Sequence, residues 1–137
     1  MSNPDKAADL TGLHVLVVDD DQDSLDAMQI ALQFSGALVT TAPSAKKAFA
    51  TLSRLTPDVI VCDLKMPEED GPSFVRELRR LPPLRSTPVL AVTAYDYLYI
   101  QHELHAAGFT GFIRKPISFP DLVRAVAALA RAGKSAG

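Results

Sequence analysis

Five short apolar runs alternate with five amphipathic stretches along this chain, and no other feature limits its fold so tightly. The runs are Leu13–Val18, Ala37–Thr41, Val59–Cys62, Val89–Val92 and Gly111–Ile113. Their shortness and β-branched content read as strands, most clearly in the first, third and fourth. The stretches between them repeat at helical spacing. Leu25, Met28 and Leu32 share one face, as do Ala45, Ala48, Phe49 and Leu52. Phe74, Val75, Leu78 and Leu81 follow, then Leu98 with Leu104, then Leu122, Val123, Val126 and Leu129. Gly36 and Gly108 come after helical runs, where a left-handed cap is wanted. Ser118, three residues before Asp121 and with Pro120 in the first turn, marks the start of the last helix. Continuously apolar strands separated by helices predict a parallel sheet covered on both faces. Right-handed crossovers make an α/β, doubly wound five-stranded sheet the economical topology.

This alternation fills one domain, expected over residues 12–132, with polar tails at 1–11 and 133–137. A hydrophobic content of 47% beside 22% charged residues is that of a globular chain. The formal charge of −2 argues against a broad nucleic-acid surface. A single cysteine, Cys62, excludes an internal disulfide and fits a reducing compartment. There is no apolar run of membrane-spanning length and no signal-peptide core, so a cytoplasmic location is expected.

In open parallel sheets ligands bind beyond the carboxyl ends of the strands, where strand order reverses. Those ends carry Asp19-Asp20-Asp21, Cys62-Asp63, Thr93-Ala94 and Arg114-Lys115-Pro116. Carboxylates gathered on one rim repel one another unless a cation lies among them. Hard oxygen donors, with no histidine or cysteine suitably placed, suit Mg²⁺ rather than zinc. A lysine and a threonine hydroxyl opposite would cradle a phosphoryl group. One carboxylate could then be the nucleophile, so the residues point to Mg²⁺-assisted phosphoryl transfer onto an aspartate.

With those residues in place, the chain resembles the receiver domain of two-component response regulators over roughly Leu13 to Ala132. The resemblance is carried by VVDD at 17–20, by Asp63 followed by Met66-Pro67 and Asp70-Gly71, by Thr93-Ala94 and by Lys115-Pro116. It implies the flavodoxin-like strand order 2-1-3-4-5, whose switch point lies between the first and third strands. It implies Asp63 as phosphoacceptor and a Mg²⁺ held by Asp20, by Asp19 directly or through a water, by Asp63 and by the Lys65 backbone carbonyl. Thr93, the Ala94 backbone and Lys115 would bind the phosphoryl oxygens, and Thr93 with Phe112 would form the switch. Lys65 and Tyr95 would set the rate of phosphate loss, the bulk of Tyr95 slowing it. Tyr97 and Tyr99 would join a partner surface made by the fourth helix, fifth strand and fifth helix, or else pack partly into the core. The implied partners are a histidine kinase or phosphotransfer protein, and a downstream protein target or linked kinase modules. The charge pattern of that surface is compatible with a homodimer. After the fifth helix too little chain remains for an output domain, so a stand-alone receiver or a piece of a hybrid kinase is expected. The resemblance also suggests a cis Lys115-Pro116 bond, although such bonds are mostly trans.

Several residues have plainer readings. Asp21 is a solvated or helix-initiating carboxylate. Cys62 alternates away from Asp63 as a small buried hydrophobe. His102 and His105 lie on a solvated helix face, and Arg76, Arg79, Arg80 and Arg85 form a solvated basic one. Two other functions compete. Asp19-x-Asp21 is the start of a motif of Mg²⁺-dependent phosphohydrolases with Asp19 as nucleophile, but Asp23 stands where that motif wants Thr or Val. A pseudo-receiver that only binds partners is disfavoured because every expected polar position is filled.

Overall fold

Val15 and Val17 point to one side of their strand and Leu16 and Val18 to the other, and all four are fully buried. A strand apolar on both faces must lie inside a sheet covered twice, and it does. The computed structural model describes residues 9–64, 70–94 and 97–136, the side chains of 97–100 and 134–136 excepted. Strands β1 (His14–Val18), β2 (Leu38–Ala42), β3 (Val59–Asp63), β4 (Val89–Thr93) and β5 (Gly111–Arg114) alternate with five helices. These are α1 (Gln22–Phe34), α2 (Ala45–Leu52), α3 (Gly71–Leu78), α4 (Tyr97–Ala107) and α5 (Phe119–Ala136). All strand pairs are parallel, in the order β2-β1-β3-β4-β5. This is the doubly wound sheet that the sequence predicts, in the flavodoxin-like order that the resemblance implies.

Two apolar layers hold it together. Leu25, Met28 and Leu32 of α1 and Leu122, Val123 and Val126 of α5 cover one face, over Val15, Val17, Val61 and Val92. Ala48 of α2, Phe74 and Leu78 of α3 and Leu104 of α4 cover the other, over Leu16, Ile60 and Ala91. Phe74 is the largest fully buried side chain among the described residues and meets Phe49 at 5.0 Å between ring centroids. Burying each such side chain contributes roughly 1.5–3 kcal/mol.

Strands β3 and β4 each run one residue further than the apolar runs, so Asp63 and Thr93 are themselves the last ladder residues. Gly36 and Gly108 have φ of +104° and +112°, as their place after helices requires. Asp21 is the N-cap of α1, accepting from the Ser24 N–H at 3.0 Å and hydroxyl at 2.7 Å. The Ser24 contacts hold its carboxyl below the usual range. Asp21→Ala is expected to lower the midpoint of urea denaturation, because α1 loses its cap.

Four expectations need correction. The fold begins before residue 12: Leu10 is fully buried and its N–H bonds the Ser35 carbonyl at 2.8 Å. Helix α5 continues to Ala136, through the stretch expected to be a tail. Leu81 keeps the helical spacing but is 41% exposed, because α3 stops at Leu78. Pro82 forces Leu81 into an extended conformation, and Leu84 of the following 3₁₀ turn is buried in its place. Finally, Arg79 is not on a solvated face. It is half-buried, and burial lowers its pKa.

Candidate functional site

The ends of β1, β3, β4 and β5 deliver polar residues to the same rim. Asp19 follows β1, and its backbone N–H is held by the Ala42 carbonyl of β2 at 3.1 Å. Its Oδ1 accepts the Asp21 N–H at 2.9 Å, which folds the acidic run back on itself. Asp63 closes β3, the neighbour of β1, so one oxygen from each of Asp19, Asp20 and Asp63 falls within a 4.8 Å cluster. Asp20 is exposed, while Asp19 and Asp63 are 1% and 5% exposed. Two carboxylates this close and this buried repel. Burial, with the charge of Asp63 adding to it against the Asp21 hydrogen bond, pushes the Asp19 pKa up to about 6.

The opposite wall is basic and polar. Lys115 Nζ lies 3.4 Å from Asp63 Oδ1, and the Lys115 N–H bonds the Thr93 carbonyl at 2.8 Å. Thr93 is buried at the end of β4 and Ala94 beyond it is exposed. The Lys115-Pro116 bond is cis. Phe112, on β5, is half-buried against the layer containing Leu16, Ala91 and Leu104. Lys65, Met66, Pro67 and Tyr95 lie outside the described residues, as do the side chains of Tyr97 and Tyr99.

Asp70 and Gly71 have a structural reason to stand together. Asp70 caps α3 by accepting the Ser73 N–H at 2.8 Å. Gly71 lies so close to the end of β3 that a Cβ would meet the Asp63 carbonyl oxygen and the Leu64 Cα at 3.0 Å. Any larger residue would push the start of α3 off the strand that carries Asp63.

The donor set fits a hard divalent cation. Among the described residues, Asp19 Oδ2 is the buried side-chain oxygen with no hydrogen-bond donor. Such an orphan beside two more carboxylates is what a cation would complete. The same residues contain no other cluster of metal-ligating groups, and His102 and His105 are exposed. Cys62 is fully buried and burial pushes its thiol pKa up, consistent with a core hydrophobe. No helix among the described residues is long and apolar enough to cross a membrane.

Fold and pocket together define a doubly wound α/β domain with an acidic site at its switch point. The chain belongs to the response regulator receiver domain family, whose model matches residues 15–127. It is similar to an uncharacterized 14.6 kDa protein in the sodA1 3′ region of Leptolyngbya boryana, 38% identical over 117 residues, covering 85% of this chain and 89% of that one. It is also similar to the probable transcriptional regulatory protein TcrX of Mycobacterium tuberculosis, 33% identical over 126 residues, covering 92% of this chain and 53% of that protein. The chain thus spans most of the first relative and about half of the second. Among solved structures, the chemotaxis response regulator CheY4 of Vibrio cholerae superimposes with a TM-score of 0.83 at 30% identity, covering 87% of this chain and 99% of that one. Membership places the chain in two-component signalling, in a family of signalling domains that bind Mg²⁺ at an acidic pocket.

Proposed function

We propose that this chain accepts a phosphoryl group from phosphohistidine onto Asp63 and thereby switches a partner-binding surface. The observation that carries the reading is the setting of Asp63, clustered with Asp19 and Asp20 and 3.4 Å from Lys115. An Asp63 carboxylate oxygen forms the new O–P bond as the N–P bond breaks, and the donor imidazole keeps the bonding pair. Asp19, Asp20 and Asp63, with the Lys65 carbonyl, would hold Mg²⁺. When bound, Mg²⁺ offsets the charge of the carboxylates and of the phosphoryl oxygens. Lys115 exchanges its contact with Asp63 for a phosphoryl oxygen, while the Thr93 hydroxyl and the Ala94 N–H donate to the others. The modification adds roughly −1.5 to −2 charge, so Lys115 stays engaged.

Thr93 moves toward the phosphoryl group and Phe112 turns inward, which alters the surface of α4, β5 and α5. Tyr97 and Tyr99 belong to that surface. A histidine kinase or phosphotransfer protein supplies the phosphoryl group, and a downstream protein or linked kinase module reads the result. Amide spectra recorded with Mg²⁺ and beryllofluoride, an acyl-phosphate mimic, test the switch. Changes are expected at Thr93, Phe112 and Lys115, in the first turns of α4 and in β5. A response confined to residues 19–21 and 63 would contradict it.

Tyr95 stands two residues after Thr93, where its ring would hinder attack by water. Tyr95→Ala is therefore expected to shorten the aspartyl-phosphate half-life. An unchanged or longer half-life would remove Tyr95 from that role.

A further inference from the structure

Arg79, at the carboxyl end of α3, sends its guanidinium to four main-chain carbonyls in two segments, 84–87 and Gly108. Its Nη1 donates to Leu84 at 2.8 Å, Arg85 at 3.1 Å and Thr87 at 2.6 Å. Its Nε and Nη2 donate to Gly108 at 3.2 and 2.7 Å. No carboxylate pairs with it among the described residues. Thr87 lies two residues ahead of β4, the strand that ends in Thr93, and Gly108 is the residue that caps α4. One side chain therefore joins the entry of β4 to the exit of α4. The cation also sits where α4 presents its negative dipole end.

Gly108 is shaped to receive it. Its φ of +112° admits glycine most readily, and its N–H closes the helix onto Leu104 and His105 at 3.2 and 3.1 Å. A Cβ there would lie 3.1 Å from Arg79 Cγ and 3.2 Å from its Nε. The carboxyl end of α4 is thus held three ways, by Arg79, by its own cap and by the burial of Leu104 and Ala107. The amino end of the same helix begins four residues after Thr93.

We infer that Arg79 is the fixed pivot of the switch, a positioning residue that anchors the far end of α4 to β4. Displacement begun at Thr93 then swings the amino end of α4 instead of carrying the whole helix along. This rests on the proposed switching of α4, so its test keeps the two apart.

Arg79→Lys in the full chain retains the charge but not the fork that reaches four carbonyls. Phosphorylation by acetyl phosphate with Mg²⁺ is expected to match wild type, because the substitution touches none of the acidic site. Exchange of the Gly108 and Phe109 amides is expected to accelerate about tenfold or more. The diagnostic readout is the pattern of amide shifts produced by Mg²⁺ and beryllofluoride. In wild type those shifts should fade before Leu104, and in Arg79→Lys they should spread through Leu104 to Phe109. Gly108→Ala, which keeps the arginine but crowds it, should give the same spread. Shifts in wild type as large at Leu104–Phe109 as at the amino end would overturn the pivot. So would variant patterns matching wild type despite faster exchange, since Arg79 would then be merely structural. Wild type that takes up no phosphoryl group and gives no beryllofluoride response would fail the functional reading itself, and the pivot with it.

Discussion

In Mg²⁺-free buffer at pH 7, Asp19→Asn is expected to be more stable than the wild-type chain by up to about 3 kcal/mol. The carboxyl of Asp19 is nearly inaccessible, one of its oxygens has no donor, and its pKa is pushed up to about 6 from an ordinary 3.8. A folded-state pKa above the unfolded one means that the native state prefers the protonated acid. The contribution of Asp19 is therefore fully present below pH 4 and is lost as the pH rises through 6. Asparagine cannot ionise, so its advantage should be near zero at low pH, grow between pH 4 and 6, and level off by pH 7. Added Mg²⁺ should shrink that advantage. A ligand at a hundred times its dissociation constant stabilises the state that binds it by about 2.7 kcal/mol, and Asp19→Asn has lost part of the site. Urea titrations across this pH range, with and without Mg²⁺, check both signs. A pH-independent difference, or a less stable variant at pH 7 without metal, would contradict the account of Asp19.

Arg79→Ala is expected to destabilise the chain by about 3 kcal/mol, far more than a surface arginine would. The substitution removes five charged hydrogen bonds and leaves the carbonyls of Arg85, Thr87 and Gly108 to find other donors, while Leu84 keeps the Thr87 N–H at 3.3 Å. Those at Thr87 and Gly108 matter most, because Thr87 is a buried residue and Gly108 packs directly against the departing side chain. Water entering the gap would recover part of the loss, which keeps the figure below the sum of five separate bonds. A change within about 0.5 kcal/mol in urea denaturation would show that the clamp contributes little.

The contrast between Arg79 and Asp21 shows what a sequence can disclose. Asp21 was legible as a helix-initiating carboxylate because its donors are local: the N–H and hydroxyl of Ser24, three residues on. The acceptors of Arg79 are backbone carbonyls up to 29 residues away. Every residue carries a carbonyl, so no pattern in the sequence marks these four. Arg79 accordingly looked like a member of a solvated basic run with Arg76, Arg80 and Arg85.

The sheet was legible for the opposite reason. Alternating apolar runs such as Val59–Cys62 report burial on both faces, and parallel pairing follows from that burial. The errors fall where a local rule meets a stronger neighbour. Leu81 fits the helical period of α3 but precedes Pro82, and the proline wins. Leu10 lies in a mostly polar stretch, and it is buried in a cluster made by residues far along the chain, Leu32 and Val59 among them. The site was legible as residue types at strand ends, since Asp19, Asp63, Thr93 and Lys115 all follow apolar runs. Its internal imbalance was not. Which oxygen of Asp19 lacks a donor depends on how the Asp19–Asp21 turn folds back, and that is visible only in three dimensions.

The central claim, that Asp63 carries the phosphoryl group, is tested most directly by intact mass after incubation with acetyl phosphate. Wild type with Mg²⁺, wild type with the metal chelated, and Asp63→Ala with Mg²⁺ are compared. A single phosphoryl increment is expected in the first sample and in neither of the others. An increment that survives Asp63→Ala would contradict the account and return Asp19 as the nucleophile. No increment in wild type, under conditions that modify a control receiver domain, would leave a domain that binds partners without being phosphorylated.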